Sequence, residues 1–124
     1  VAGSEQDFVV NVGERVFFDY DQYALSAEGK ALLTSQAAWL AKYPQVSVRI
    51  EGNADERGTR EYNLALGARR AESVKAFLIS QGVATSRVTT ISYGKEKPFD
   101  TGTGEDAYAK NRNAHTALTG GAKQ

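Results

Sequence analysis

Arg70 stands on the wrong face of its segment. At the ideal helical period, residues 63–78 place Leu66, Gly67, Ala71, Val74, Phe77 and Leu78 on one arc of about 140°. Arg70 falls inside that arc, between Phe77 and Val74, and Asn63 joins it; Arg69, Glu72 and Lys75 lie outside. A guanidinium stays charged at any ordinary pH, and burying it without a partner is costly. It needs a carboxylate, and two readings follow. In one, Arg70 closes an internal ion pair with Asp55 or Asp21. In the other it faces a cleft and takes a ligand carboxylate, a task that suits its planar fork. The readings overlap, because an Asp–Arg couple can hold a zwitterion: arginine on the carboxylate, aspartate on the ammonium. For Asp55 to take part, the loop ahead of the helix must fold back along it, and Gly58 permits that turn. Arg69 is expected in solvent.

These residues need elements to position them. Ser26 can cap a helix through EGKALLTSQAAWLAKY, with Leu32, Leu33, Ala37, Trp39, Leu40 and Tyr43 on one face and Pro44 after its end. QVSVRIEG (45–52) alternates strictly, Val46, Val48 and Ile50 against Ser47, Arg49 and Glu51, which predicts a half-buried strand. A second helix runs from about Thr59 to Gln81, closed by Gly82. RVFFDY (15–20), RVTTISYG (87–94) and AHTALT (114–119) read as strands, EDAYAKN as a short helix, and FVVNV (8–12) as a short strand or extended arm. Residues 1–7 read as a flexible linker and 120–124 as a frayed tail, leaving 8–119 as one domain. The alternation predicts an α/β sandwich (α+β), two main helices packed on one mixed sheet. If the first two strands are parallel, their C-terminal ends share an edge and gather Asp19, Asp21, Asn53 and Asp55 there, where ligand sites collect.

The bulk numbers narrow the chemistry. Acids and bases balance at 15 each, which argues against electrostatic capture of nucleic acid or anionic lipid. There is no cysteine, so disulfides and thiolate metal sites are excluded, and His115 is the one histidine. It is expected on a strand surface, and no metal site is expected. Asp19 and Asp21 lack the glycine and glutamate of a calcium loop, and GTGED (102–106) lacks the lysine of a phosphate loop. Trp39 is expected in packing. No serine has a histidine beside it in a motif, so the sequence reads as non-enzymatic, with no cofactor. A small α/β enzyme acting on a carboxylate substrate is the alternative, without positive support. No apolar run approaches the ~20 residues of a membrane span. Methionine is absent, position 1 included, so the native start and a targeting segment are expected to be missing.

EGNADERGTREYNLALGARRA (51–71) resembles the signature of the OmpA-like peptidoglycan-binding domain, and more narrowly that of the peptidoglycan-associated lipoproteins. VFFDYDQYAL, ISYGKEKP and DAYAKNR resemble further blocks of that family, in the family's order. The resemblance implies a β/α/β/α/β domain that binds meso-diaminopimelate of the peptidoglycan stem peptide. It places the ligand on Asp55 and Arg70, with Tyr20 and Asp21 closing the rim and Leu66 as an apolar wall. Asn53, Glu56, Thr59, Asn63 and Arg112 are the further rim candidates. Ala54 stands where the family commonly has Thr, and Asn113 where it has a second arginine. The resemblance also implies a periplasmic monomer, an N-terminal lipid anchor to the outer membrane that this sequence lacks, and exchange with Tol-system proteins, above all the periplasmic propeller protein TolB. A wall-binding module of a porin or of a flagellar stator protein is the alternative within the family.

Overall fold

The computed structural model describes residues 1–123. Its sheet has four strands: β1 (Arg15–Phe17), β2 (Ser47–Asn53), β3 (Val88–Gly94) and β4 (Asn113–Gly120). Their order is β1-β4-β2-β3. β4 runs antiparallel to both β1 and β2, so β1 and β2 are parallel to each other although β4 lies between them; β2 and β3 pair in parallel. The expected α/β sandwich is the observed architecture, and the C-terminal ends of β1 and β2 do share an edge.

Two long helices, α2 (Ala27–Lys42) and α3 (Arg60–Ser80), carry the buried face; α1 (Glu5–Asp7) and α4 (Glu105–Asn111) are short. α2 begins where Ser26 Oγ accepts the Gly29 N–H at 3.0 Å, and α3 where Thr59 Oγ1 accepts the Tyr62 N–H at 3.1 Å. α3 ends in a Schellman motif: the Gly82 N–H bonds the Ile79 carbonyl and the Val83 N–H the Leu78 carbonyl. Val83 and Leu78 are both buried there, joined in the core by Leu33, Leu40, Val46, Val48, Ile50, Val74 and Val88.

At the site end, α3 lies unusually close to the sheet. A Cβ on Gly52 would sit 1.7 Å from the Gly67 carbonyl oxygen, and one on Gly67 would sit 2.3 Å from Ser92 Oγ. Only two glycines facing each other allow this approach. Ser92 Oγ also donates to the Leu64 carbonyl of α3 at 2.7 Å. The helix is thereby pressed onto the end of β2, one turn before Arg70.

Three expectations are corrected. Residues 8–12 form neither a strand nor an extended arm but a π-helical turn after α1, with Phe8 fully buried and Val9 and Val10 exposed. Phe8 packs edge-on to Trp39 at 5.0 Å. Residues 1–7 are tied down rather than a free linker: Asp7 accepts Trp39 Nε1–H at 2.9 Å and the Gly3 N–H at 2.8 Å. The far end docks beside them, the Lys123 N–H bonding the Gly3 carbonyl at 2.9 Å. Gln124, the last residue of the expected tail, lies outside the described residues. β1 is also shorter than RVFFDY: a turn that joins the Gln22 N–H to the Asp19 carbonyl, with Asp21 at φ 58°, takes over after Phe18.

His115 lies on the outer face of the sheet, in register with Arg15 and Glu51. Its Nδ1 meets Glu51 Oε1 at 2.8 Å and its Nε2 meets Glu14 Oε1 at 2.5 Å.

Candidate functional site

The shared edge of β1 and β2 is closed by two loops and by the end of α4. One loop, residues 18–22, is held at its start by the Phe18 N–H on the Arg112 carbonyl. The other is the turn from Ala54 to Gly58, ahead of α3. Its backbone is braced from outside: Asn63 Nδ2 donates to the Arg57 carbonyl at 2.8 Å, and Lys95 Nζ to the Gly58 carbonyl at 2.7 Å. Gly58 adopts φ 93°, the left-handed conformation that glycine takes without strain.

Arg70 is the largest fully buried side chain among the described residues, at 0% exposure. The expected carboxylate partner is corrected. Its fork is filled by three backbone carbonyls: Nε donates to Gln22 at 2.8 Å, Nη1 to Asn53 at 2.9 Å and Nη2 to Asp19 at 3.2 Å. These oxygens sit where the chain leaves β1 and β2, so no strand partner claims them, and together they engage all three nitrogens of the fork. Arg70 also lies over the Phe18 ring, 5.3 Å from its centre. Burial draws its pKa down to about 10, against the opposing fields of Asp55 and Asp21. It remains a cation, and it clamps the 18–22 loop to the end of β2.

Asp55 is the buried anion of the site, 4% exposed. Its cations are Arg57 and Arg112. Arg57 reaches both carboxylate oxygens, Nη2 to Oδ2 at 2.7 Å and Nε to Oδ1 at 3.1 Å, while its own backbone N–H bonds Oδ1 at 3.0 Å. Arg112 Nη1 stands 3.5 Å from Oδ2. Burial pushes the Asp55 carboxyl up, but the hydrogen bonds and charge of Arg57, with Arg112 behind, hold it below the ordinary value. Arg112 is fixed in turn by the Phe18 carbonyl at 2.9 Å and by Glu105 at 3.2 Å.

The other expected residues fall around these two poles. Tyr20 is 60% exposed and lies flat against the Arg57 guanidinium, 4.2 Å from its ring centre. Leu66 is buried beneath a shallow crevice of about 160 Å³ that it shares with Asp21, Tyr23 and Tyr62. Asp21 accepts the Tyr62 hydroxyl there. Glu56 is exposed, and its carboxylate raises the pKa of the Tyr108 hydroxyl. Thr59 and Asn63 are bound to backbone, as the cap of α3 and the brace of the turn. Asn53 turns into the sheet, where its Nδ2 donates to Asn113 Oδ1 at 2.9 Å and Asn113 Nδ2 donates to the Lys110 carbonyl. Asn113 thus stitches the start of β4 to the end of β2. A larger crevice of about 510 Å³ opens alongside, lined by Phe18, Asp19, Gln22, Leu25, Glu28 and Arg112 among others.

A model of the OmpA family matches residues 17–112. The chain belongs to the OmpA family. It is 56% identical over 118 residues to a peptidoglycan-associated lipoprotein of Rhizobium meliloti (strain 1021), a match covering 95% of this chain and 67% of that protein. The corresponding protein of Brucella suis biovar 1 (strain 1330) is 54% identical, with 95% and 70% covered. Among solved structures, the peptidoglycan-associated lipoprotein from Burkholderia pseudomallei superposes with a TM-score of 0.83 at 43% identity, over 86% of this chain and 90% of that one. The C-terminal domain of Helicobacter pylori MotB has a TM-score of 0.80 at 21% identity, a likeness of fold, over 86% and 84% of the two chains.

Two residues of this OmpA-family site were not among the sequence candidates. Arg57 reads as one charge in a polar loop; its signal is the Asp-x-Arg spacing, which lets an Asp side chain fold back on the N–H two residues on. Tyr108 lies 4.5 Å from the Arg57 guanidinium carbon. Nothing local marks it, because its place depends on how the loop before α4 returns.

Proposed function

We propose that this domain binds peptidoglycan without covalent chemistry, through the free amino-acid end of meso-diaminopimelate. The observation that carries the reading is Asp55: a buried, ionised carboxylate at the edge where β1 and β2 end, its Arg57 partner lying against the Tyr20 and Tyr108 rings. Its ligand must carry a cation, and diaminopimelate presents an ammonium beside a carboxylate. Asp55 takes the ammonium. The carboxylate meets the positive field of Arg70 and Arg112, which Asp55, Asp21 and Glu105 offset in part. Three of the five Arg70 donors are held by carbonyls. The remaining two become available to a ligand when the 18–22 loop yields. Tyr20 and Asp21 form the rim and Leu66 the wall.

The names of the relatives support the same reading. The whole protein, on this proposal, is a periplasmic lipoprotein anchored in the outer membrane that exchanges between the wall and Tol-system proteins, TolB included. It is a binding module and not an enzyme, a reading supported by the placing of His115 between Glu14 and Glu51 on the outer face of the sheet.

The test is co-sedimentation with purified sacculi. Asp55→Asn removes a charge-assisted contact of roughly 2 kcal/mol, about thirtyfold in affinity. A folded Asp55→Asn variant that pellets like the wild type would sink the proposal. Walls carrying lysine in place of diaminopimelate lack the second carboxylate and should retain less protein.

A further inference from the structure

We propose that, in the free protein, the Arg57 guanidinium occupies the place of the ligand's ammonium, so that recognition at Asp55 is an exchange of one cation for another. The inference rests on the reading of the site above and names what has to leave it.

The geometry is that of a cation cage already filled. Asp55 forms the floor, contacted through both oxygens by Nη2 and Nε of Arg57. Tyr20 and Tyr108 form two walls, with ring centres 4.2 Å and 4.5 Å from the guanidinium carbon. Glu105 approaches from outside at 3.9 Å. A carboxylate with facing aromatic rings is the chemistry by which proteins hold ammonium groups. Here that chemistry is engaged by a side chain of the same chain.

Arg57 is also the member of the cluster that is free to go. Its side chain is 35% exposed, against 5% for Asp55 and 10% for Arg112. The turn that carries it is braced through backbone carbonyls by Asn63 and Lys95, so the side chain can swing while the turn stays in place. Departure leaves Asp55 with Arg112 at 3.5 Å, and gives Arg57 the exposed Glu105 as its next partner.

Two consequences follow. Only a cation can compensate Asp55 for the loss of Arg57, so the residue selects for a charged amine over a neutral hydrogen-bond donor. The internal competitor also lowers the apparent affinity, because only the fraction of molecules with Arg57 withdrawn can bind.

The experiment uses a soluble tripeptide ending in meso-diaminopimelate, titrated into wild type and Arg57→Gln, with thermal melts to confirm folding. Exchange predicts that Arg57→Gln binds at least threefold tighter, with the gain in association rate. It also predicts, in the wild type, that the Arg57 Nε–Hε NMR signal moves to the position of a solvated arginine as the tripeptide saturates. Equal or weaker binding by Arg57→Gln, or an unmoved Nε–Hε signal at saturation, overturns the exchange while leaving the peptidoglycan reading intact. A wild type that binds neither tripeptide nor sacculi overturns that reading and the exchange with it.

Discussion

Asp55 and Arg70 are both buried in one site, yet they do not pair with each other. Asp55 takes the side chains of Arg57 and Arg112, and Arg70 takes the carbonyls of Asp19, Gln22 and Asn53. The two poles therefore have separate supports. A ligand cation can replace Arg57, the more exposed partner of Asp55, without disturbing the carbonyl bonds that hold Arg70.

This separation predicts different failures for the two residues. Arg70→Ala strips the Asn53 and Gln22 carbonyls of their arginine donor, leaves the Asp19 carbonyl with the Gln22 N–H alone, and leaves the 18–22 loop without its clamp. Losing these charge-assisted hydrogen bonds together with the packing of a fully buried side chain costs about 3–5 kcal/mol, which for a domain of this size lowers Tm by roughly 10 °C or more. Arg70→Lys keeps the charge but not the fork, and should also melt early. Melts within a degree or two of wild type for both variants would show that the carbonyl clamp contributes little.

The close approach of α3 to β2 predicts a second structural variant. Gly52→Ala drives a methyl to 1.7 Å from the Gly67 carbonyl oxygen, a backbone atom that cannot rotate aside. The helix must lift, and overpacking of this kind costs typically about 1–3 kcal/mol. Because Arg70 Nη1 bonds the Asn53 carbonyl next to Gly52, the lift should also weaken sacculus binding. A Gly52→Ala variant with native Tm and native pelleting would refute the backbone contact.

How much of this was open to a reader of the sequence follows from what periodicity encodes. The alternation of Val46, Val48 and Ile50, the helical period from about Thr59 and the Gly82 stop locate β2 and α3 to within two residues, since each signal is local. The arc that holds Arg70 beside Leu66 and Val74 marks it as buried for the same reason. Its partners were not legible. They are backbone carbonyls from Asp19, Gln22 and Asn53, and the direction of a carbonyl at a strand end leaves no trace in residue types. FVVNV shows the opposite failure: an apolar run without periodicity fits a strand, an arm or a helical turn, and Phe8 is buried only because Trp39 of α2 is there to meet it.

Asn113 is predicted to matter through packing. Asn113→Ala removes the buried bond from Asn53 Nδ2, which keeps only the Glu51 carbonyl at 3.1 Å, and takes the side-chain donor from the Lys110 carbonyl. The expected loss is about 1–3 kcal/mol, seen as a lower midpoint in urea with an unchanged slope. Asn113→Asp should retain the bond from Asn53 Nδ2 while losing the one to Lys110. A midpoint unmoved by Asn113→Ala would show that the Asn53–Asn113 stitch does not hold β4 to β2.

The N-terminal seal should titrate in acid. Hydrogen bonds from Asn11, from the Gly3 N–H and from Trp39 Nε1–H lower the Asp7 pKa from 3.8 to about 2. A carboxyl whose folded pKa lies below its unfolded one binds fewer protons when folded, so its contribution to stability is present above the unfolded value and disappears as pH falls through the folded one. The window is pH 4 to 2. Trp39 is the one tryptophan, so its fluorescence reports the event directly. Lowering the pH from 4 to 2 should shift its emission as the Nε1–H loses its ionised acceptor, together with a fall in Tm. Asp7→Asn should show the low-pH emission already at neutral pH and remove that step. A Trp39 signal that is flat across this window in the wild type, or that keeps its step in Asp7→Asn, would break the link between Asp7 and the packing of Phe8 on α2.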